Sequence, residues 1–600
     1  MRKLLLIHFT RRMLTPLLVA AFLYPHELSA LSAEISERPN IVLIMTDDQG
    51  YGDLGVTGNP LIRTANIDAM ASRSALVQSF YVSPVCAPTR ACLMTGRYNY
   101  RTRCIDTWVG RAMMDPEETT IAEVLRDAGY ATGIFGKWHL GDCYPMRPMD
   151  QGFSESLVHR GGGIGQSSDP TGAEGKYTDP VLFRNGRAEA LKGYCTDLYY
   201  SNAMMFIRQS KEDERPFFVY LPDNCPHGPF HDVPRELYEH YRQMDLGNDR
   251  FPQKYGHKLP PKHDNDRLAR IYAMISNVDR NVGRLFRMLD ELELTENTIV
   301  IFMVDNGPNG RRYVDGMRGS KTSVYEGGIR SPFFVHWPAK LKAGHEVARA
   351  CAHIDVMPTL LEACSVEIPQ ALKPDGVSFL PELLGQPVRR SDRTIVIQSH
   401  RGNHPVRFHN FMIRNNRWKL LNASGFTLEG LKGPPKFELY DLQSDPREMI
   451  DVAAEQPDVV RQLKAAYETW FDDVGSTRPD NYAPPRIHVG TPHENPVVLT
   501  RQDWRHTAGH TWHRNSVGHW LLYVPEVGEY DIRCRFAADQ EAGKAVLAVN
   551  ESRLELPVPA ARIDCVFSAV TLPAGPLRLE VTLQHGNNVR GIHQADVVRR

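Results

Sequence analysis

The sequence has no excess charge of one sign, no zinc-type cysteine pairs and, beyond its first 33 residues, no long apolar run. Its 600 residues carry 70 Lys and Arg against 71 Asp and Glu, a net charge of −1, whereas nucleic-acid-binding proteins are usually basic. The ten cysteines include no C-x-x-C pair, so neither a zinc knuckle nor a thioredoxin-type site is expected. With 42% hydrophobic and 24% charged residues, the chain is neither disordered nor fibrous.

Residues 1–33 are typical of an export signal. A basic start ends at Arg11-Arg12, an apolar run of 12 residues covers 13–24, and small residues lie at 29–33. That run is too short to cross a bilayer as a helix. An amphipathic N-terminal helix is the alternative interpretation. We expect an exported mature chain, periplasmic or secreted, that is mildly acidic, has no nucleic-acid partner and has no stable membrane anchor.

The first two thirds of the chain alternate continuous apolar runs with helical segments. The runs are Ile41–Met45, Ala131–Phe135, Phe217–Leu221 and Thr298–Val304, and the helical segments include Thr119–Ala128 and Arg267–Leu294. Continuous apolar runs are typical of strands buried on both faces of a largely parallel sheet. The pattern predicts an α/β domain over residues 38–385.

The remaining residues predict three further parts. Short strands before a helix near Pro457–Phe471 indicate a small α+β subdomain over 386–475. The proline-rich stretch 476–496 is typical of a linker. Alternating apolar and polar residues favour a β-sandwich module over 497–600. Cys534 and Cys565 are the only cysteines there, and a disulfide and two buried thiols are both compatible with the sequence.

Acidic residues follow two of the apolar runs. Asp47-Asp48 follows the first run, and Asp305-Asn306 follows the run that ends at Val304. Ligands bind at the carboxyl ends of strands in open α/β sheets. Three carboxylates gathered there would repel one another unless a cation lay between them, and hard oxygen donors favour Ca²⁺ or Mg²⁺ over zinc. Each motif alone is weak, because a turn and an acidic helix start explain them equally well.

The string Cys86-Ala87-Pro88-Thr89-Arg90, followed by Thr95-Gly96-Arg97, is more specific. Proline fits the first helical turn, so Cys86 is expected at a helix N-terminus, where free N–H groups favour an anion. The C-x-P-x-R pattern resembles the signature of the type I sulfatases, members of the alkaline-phosphatase superfamily. In that family a maturation enzyme oxidises the cysteine to Cα-formylglycine.

The resemblance covers residues 38–475 in five further blocks. They are Asp47–Asp53, Gly136–Gly141, Pro226-His227, Asp305–Gly307, and Gly319–Lys321 with Tyr325–Pro332. The resemblance implies an alkaline-phosphatase-like fold with a central mixed, largely parallel sheet flanked by helices. It also implies one Ca²⁺ ion, with five predicted ligands: Asp47, Asp48, residue 86 (the former Cys86), Asp305 and Asn306.

The resemblance assigns the remaining roles. Arg90 supports the hydrated residue 86, and Lys137 and Lys321 neutralise the sulfate oxygens as charge develops on them. His227 is the candidate acid for the leaving alcohol, His139 is the candidate base that collapses the diol, and Asp305 takes the proton of the nucleophile. The hydrate has two hydroxyl groups, so one attacks sulfur and the other later expels sulfate by C–O cleavage. A thiol lacks the second hydroxyl.

These features predict an exported, calcium-dependent, arylsulfatase-like sulfatase. The substrate is a sulfated small molecule or glycan, with a carbohydrate favoured by export and by the appended module. A formylglycine-generating enzyme is the implied maturation partner. A phosphonate or phosphate ester hydrolase of the same superfamily and a non-catalytic sulfoglycan-binding relative are the alternatives. The glycine-rich segment His159–Gln166 lacks G-x-G-x-x-G, and it either lines the substrate entrance or is a mobile connection.

Overall fold

The structure is a computed structural model that describes residues 38–170, 172–252, 255–260, 264–388, 393–478, 480–508, 515–536 and 541–600. The predicted export signal, residues 1–33, lies outside these ranges. At the centre of the described chain is a sheet with five neighbouring parallel strands: β1 (Asn40–Thr46), β2 (Ala131–Lys137), β3 (Glu155–His159), β4 (Phe217–Pro222) and β5 (Thr298–Val304). Their spatial order is β5-β1-β4-β2-β3.

The parallel strands are mostly apolar because both faces of the sheet are covered. Every residue of β1, β2, β4 and β5 is buried. Shorter strands extend both edges of the sheet: Phe333–His336, Ala75–Val77 and Glu346–Val347 beyond β5, and Val181–Arg184 and Arg187–Ala190 beyond β3. Phe333–His336 and Val181–Arg184 pair antiparallel to their parallel-strand neighbours. The sheet is therefore mixed and largely parallel, which confirms the predicted α/β fold.

Helices cover the sheet. The longer ones are Ala65–Ser72, Cys86–Thr95 (α1), Ile121–Asp127, Cys195–Glu212, Arg235–Arg242, Asn265–Glu291 and Val356–Ala363, with single turns at Glu326–Ile329 and Leu380–Leu383. The helix Asn265–Glu291 begins where the Asp264 side chain accepts from the amide of Arg267. Its buried residues recur at helical spacing, as in Met274, Val278 and Val282, and they pack against the sheet.

A four-stranded antiparallel sheet follows, made of Ile395–Gln398, Phe411–Arg414, Trp418–Asn422 and Glu438–Asp441. The helix Pro457–Ser476 covers it, with the Tyr467 ring 4.1 Å from that of Phe411. A separate three-stranded sheet is formed by Arg330–Ser331, Phe80–Tyr81 and Cys351–Ala352. Among the described residues, no helix combines the length and apolarity needed to cross a membrane.

The C-terminal residues form a β-sandwich around a shared core. One sheet contains Ile487–His488, Arg505–Ala508, Val517–Val524, Gly543–Val549, Ser552–Val558, Gly575–His585 and Asn588–Gly591. The other contains Val497–Thr500, Gly528–Arg535, Asp564–Leu572 and Gln594–Arg599. Cys534 lies opposite Cys565 on adjacent strands, and both are free thiols. Met113, Cys143 and Met146 of the α/β domain belong to the same hydrophobic core.

Candidate active site

The acidic residues meet because β1 and β5 are parallel neighbours. Asp47-Asp48 follows β1 and Asp305-Asn306 follows β5, and all four side chains are buried. The amide of Asp48 donates to Asp305 Oδ1 at 3.2 Å, and Asn306 Nδ2 donates to Asp48 Oδ1 at 2.9 Å. The four side chains thus form one cluster at the carboxyl edge of the sheet.

Cys86 is the first residue of α1, and every residue of that helix is buried. No side chain caps the start of α1, which leaves its first-turn N–H groups able to favour an anion. One turn later, Arg90 Nη2 lies 2.9 Å from Asp305 Oδ2, and its Nη1 donates to the Lys137 carbonyl oxygen at 2.9 Å. The helix therefore brings Cys86 and a guanidinium group to the acidic cluster.

Two lysines contact the acidic cluster. Lys137 is the last residue of β2 and its Nζ contacts Asp47 Oδ2, while the Nζ of Lys321 contacts Asp48 Oδ1. Lys137 and both acids are completely buried, and the Lys321 side chain is 17% exposed. Buried charges require partners of opposite sign, and Lys137, Lys321 and Arg90 supply three positive charges for three carboxylates.

These charges control the protonation of the acids. Burial alone would raise the pKa of Asp47, but the positive charges of Lys137, His227 and Arg90 together outweigh it and lower the pKa. Burial also opposes ionisation of Asp48, and the charge of Lys321 holds its pKa far below the ordinary range. Burial and the neighbouring charge of Asp47 raise the pKa of Asp305. Asp47 and Asp48 are thus ionised at neutral pH, whereas Asp305 holds a proton more readily.

His139 adjoins Cys86. Its Nε2 lies 2.8 Å from the Thr107 carbonyl oxygen, and since a carbonyl only accepts, Nε2 carries the ring proton. The other ring nitrogen, Nδ1, lies 3.4 Å from Cys86 Sγ and is the acceptor of the neutral ring. Burial, reinforced by the charge of Lys137, holds the pKa of His139 well below its usual value.

His227 follows β4 and faces Asp48. Its Nδ1 donates to the Gly228 carbonyl oxygen at 2.8 Å, and its Nε2 lies 3.7 Å from Asp48 Oδ2. Burial lowers the pKa of His227, and the charge of Asp48 partly offsets this effect. The structure thus brings together all ten residues singled out from the sequence.

The cluster has the donor set of a divalent cation site. Two triplets of possible ligand atoms lie within 4.8 Å of one another: Asp47, Cys86 and Asp305, and Asp47, Asp48 and His227. Asp47 Oδ1 and Asn306 Oδ1 are buried and accept no hydrogen bond. Buried oxygens without a partner are unfavourable, and carboxylate and amide oxygens are the ligands that Ca²⁺ prefers. The residues present therefore fit a hard divalent cation such as Ca²⁺.

The glycine-rich segment lines the site. A Cβ added at Gly163 would lie 2.6 Å from His227 Cε1, and one added at Gly162 would lie 3.0 Å from His139 Nε2. An added Cβ at either glycine would also lie within 3.0 Å of the Gln166 side chain. Only residues without a side chain leave room for the two histidine rings here.

Three residues that the sequence analysis did not single out hold the site in place. Arg312 Nη2 donates to the Asp48 carbonyl oxygen at 2.8 Å, and Asn309 Nδ2 donates to Asp48 Oδ2 at 3.1 Å. Both lie in the loop after β5, and their closeness to Asp305-Asn306 in the sequence was the one clue that they belong to the site. Gln502 Nε2 donates to the Thr107 carbonyl oxygen at 3.1 Å, and no local pattern links residues 395 positions apart.

Comparison with known proteins identifies the family. The sequence profile described as "Sulfatase" matches residues 39–366, which is more than half of the chain. The chain belongs to the sulfatase family. A second profile, described as "N-sulphoglucosamine sulphohydrolase, C-terminal", matches residues 319–470 of this sulfatase. The resemblance to type I sulfatases is confirmed, and the protein is a sulfuric ester hydrolase.

Named sulfatases are similar to this chain over most of its length. Human arylsulfatase A is 31% identical over 392 residues, which are 60% of this chain and 70% of that protein. The N-acetylgalactosamine-6-O-sulfatase of Bacteroides thetaiotaomicron is 28% identical over 513 residues, which are 72% and 93% of the two chains. The crystal structure of Ps i-CgsB, also solved with k-i-k-neocarrahexaose, gives a TM-score of 0.61 at 26% identity and covers 72% of this sulfatase and 92% of that chain.

Proposed function

We propose that this sulfatase is exported and hydrolyses sulfate monoesters of a carbohydrate, using one Ca²⁺ ion and a formylglycine made from Cys86. The observation that carries the proposal is the cluster of Asp47, Asp48, Cys86, Asp305 and Asn306 beside three basic side chains. Its three carboxylates and three cationic groups balance, so a bound divalent ion would make the site net positive and suited to a sulfate anion. Export rests on residues 1–33 alone.

The side chains of this site suit the two proton transfers of ester hydrolysis. When bound, the calcium ion would supply positive charge that favours an ionised hydroxyl group at position 86. The Nδ1 of His139 faces residue 86 and can accept its proton. Because Nδ1 of His227 already donates to the Gly228 carbonyl, Nε2 donates to the leaving alcohol only from the doubly protonated ring, which the Asp48 carboxylate favours and burial opposes. Lys137 and Lys321 can hold the sulfate oxygens as their charge grows.

A polar cavity of about 350 Å³ supports a carbohydrate substrate. Asp106 and Trp108 line it, on either side of the residue whose carbonyl accepts from His139. Arg401, in the loop after the strand Ile395–Gln398, lies over the Trp108 ring at 3.6 Å, and Arg505 of the β-sandwich also lines the cavity. Charged groups next to an aromatic ring suit a hydroxylated sugar. Two kinds of relative favour a sulfated carbohydrate as substrate: those named N-acetylgalactosamine-6-sulfatase or -6-O-sulfatase, and the one solved with k-i-k-neocarrahexaose.

The maturation enzyme would have to act before folding is complete. Cys86 is only 3% exposed, within a helix that is buried at every position. Burial also raises the pKa of the Cys86 thiol, so an unconverted side chain is protonated and a weak nucleophile. Conversion of the thiol to an aldehyde therefore supplies reactivity that the folded cysteine lacks.

The test is sulfate release together with the mass of the peptide that contains residue 86. We expect the wild-type chain, produced with a formylglycine-generating enzyme, to release sulfate from 6-sulfated N-acetylgalactosamine. Its peptide should carry an aldehyde in place of the thiol. Cys86→Ala should fold with an unchanged Tm and lose at least about 10³-fold in kcat, because the nucleophile is gone. Chelation should abolish turnover, and added Ca²⁺ should restore it.

Three outcomes would contradict the proposal. A higher kcat/KM for the matched phosphate ester would assign the site to phosphoryl chemistry. Tight binding of the sulfated sugar without turnover by the fully converted chain would make it a binding protein. An unmodified thiol in an active preparation would exclude the aldehyde.

A further inference from the structure

The loop of residues 106–111 lies between His139 and the C-terminal β-sandwich. On one side, the Thr107 carbonyl oxygen accepts from His139 Nε2 at 2.8 Å. That bond places the ring proton on Nε2 and directs Nδ1 to Cys86. The orientation of the imidazole therefore depends on where the Thr107 carbonyl is held.

The β-sandwich holds that carbonyl from the other side. Gln502 Nε2 donates to the same Thr107 oxygen at 3.1 Å, and the amide of Gly110 donates to the Gln502 carbonyl oxygen at 3.0 Å. Gln502 is buried, with 1% of its surface exposed. One residue of the β-sandwich thus fixes the loop at two points.

The next residue of the β-sandwich holds the chain just beyond His139. Asp503 Oδ2 accepts from the amide of Asp142 at 3.1 Å. Consecutive residues of the β-sandwich therefore support both the loop that accepts from His139 and the segment that carries it.

We propose that Gln502 is a positioning residue, through which the C-terminal β-sandwich forms part of the active site. It keeps the Thr107 carbonyl on the Nε2 proton of His139, so that Nδ1 stays aimed at residue 86. The inference rests on the proposed function, because His139 matters only if it acts on residue 86. Small displacements of a catalytic group cost rate even when the fold is intact.

The test compares two glutamines of the same β-sandwich. Methionine matches glutamine in length but has no donor, so Gln502→Met should lower kcat for sulfate release about three- to tenfold with KM within about twofold. Gln594 is also buried, but its amide donates to Asp596 inside the β-sandwich. Gln594→Met should therefore leave kcat unchanged. Equal kcat values for Gln502→Met and wild type would overturn the proposal.

A double-mutant cycle separates positioning from a general structural effect. Combined with His139→Ala, Gln502→Met should have little further effect on kcat, because the residue it positions is absent. Effects that multiply independently would overturn the proposal. If Gln502→Met does not fold, Gln502→Asn takes its place: its amide is too short to reach Thr107, and the same loss in kcat is expected.

A measurement without turnover distinguishes this inference from the proposed function. Hydrogen exchange of the peptide covering loop 106–111 should be faster in Gln502→Met than in Gln594→Met, because the loop loses its side-chain donor from residue 502 while the Gly110 amide keeps its backbone acceptor. If the wild-type chain releases no sulfate but this exchange difference is found, the proposed function fails while the contact stands. If sulfate is released and the exchange rates are equal, the inference fails.

Discussion

Asp48 and His139 have backbone conformations that residues other than glycine rarely adopt. Both have φ of 62°, in the left-handed region, where a non-glycine residue costs on the order of 1 kcal/mol or more. Contacts outside the cluster hold them there: Arg312 donates to the Asp48 carbonyl, and the amide of His139 donates to the Arg160 carbonyl at 2.7 Å. The surrounding fold thus offsets strain at the two residues that present a carboxylate and an imidazole to the site.

The contact between Gly163 and His227 predicts a large effect from one methyl group. We expect Gly163→Ala to lower kcat by about 100-fold, because the new Cβ would overlap the ring and displace it. The variant should still fold, since the segment lies at the edge of the sheet. Sulfate release under saturating substrate and the Tm of the variant measure the two effects.

Gly475→Ala is the matched control for this substitution. Its Cβ would lie 3.7 Å from the Tyr482 hydroxyl, an ordinary contact, in the helix Pro457–Ser476. Alanine favours a helix over glycine by up to about 1 kcal/mol, so this variant should keep its kcat and melt no earlier. Wild-type activity in Gly163→Ala would contradict the placement of the glycine-rich segment against His227.

At the scale of elements, the long parallel strands could be predicted and the short ones could not. Thr298–Val304 is predicted and observed with the same bounds, and the predicted Ile41–Met45 extends by one residue at each end. Continuous burial on two faces leaves a strong local pattern. The strands Ala75–Val77 and Arg330–Ser331 are too short to show a periodic pattern of apolar residues. They are strands only because they pair with residues distant in the sequence. The motifs Asp47-Asp48 and Asp305-Asn306 were recognisable for a similar reason, since they directly follow two of the long strands.

A buried charged triad joins the α+β sheet to the segment that carries Lys321. Lys419 Nζ lies 2.9 Å from Glu326 Oε1 and 2.7 Å from Glu448 Oε1, with all three side chains at most 1% exposed. We expect Lys419→Met to destabilise the protein by about 3–5 kcal/mol, because it removes the cation that pairs with buried Glu448 and leaves Glu326 with Arg330 alone. Chemical denaturation followed by tryptophan fluorescence would measure the shift.

An exposed ion pair provides the comparison. Lys544 lies 2.8 Å from Glu555, with both side chains about half exposed. Solvent screens such a pair, so Lys544→Met should change stability by less than about 1 kcal/mol. Similar denaturation midpoints for Lys419→Met and Lys544→Met would show that the buried triad contributes no more to stability than a surface ion pair.

At the scale of the whole molecule, the sequence predicted the parts but not how they meet. Alternation within single strands indicates a β-sandwich, because the pattern is local. The contacts between the parts join residues far apart in the chain: Gln502 to Thr107, and Arg111 Nη1 to the Tyr482 carbonyl oxygen at 2.6 Å. No periodicity or spacing encodes such pairs, so the contribution of the β-sandwich to the site was visible only in the structure.

The shared core predicts that the α/β domain and the β-sandwich unfold together. Leu579 is completely buried in the sandwich, in the hydrophobic core that also contains Met113 and Cys143. Leu579→Ala should lower the free energy of unfolding by about 2–5 kcal/mol. It should also lower the temperature at which activity is lost together with the calorimetric Tm. Val527 is 62% exposed, and Val527→Ala should change neither temperature. A separate early transition in Leu579→Ala, with sulfate release retained above it, would mean that the sandwich melts independently. Such a result would be incompatible with a core common to both parts.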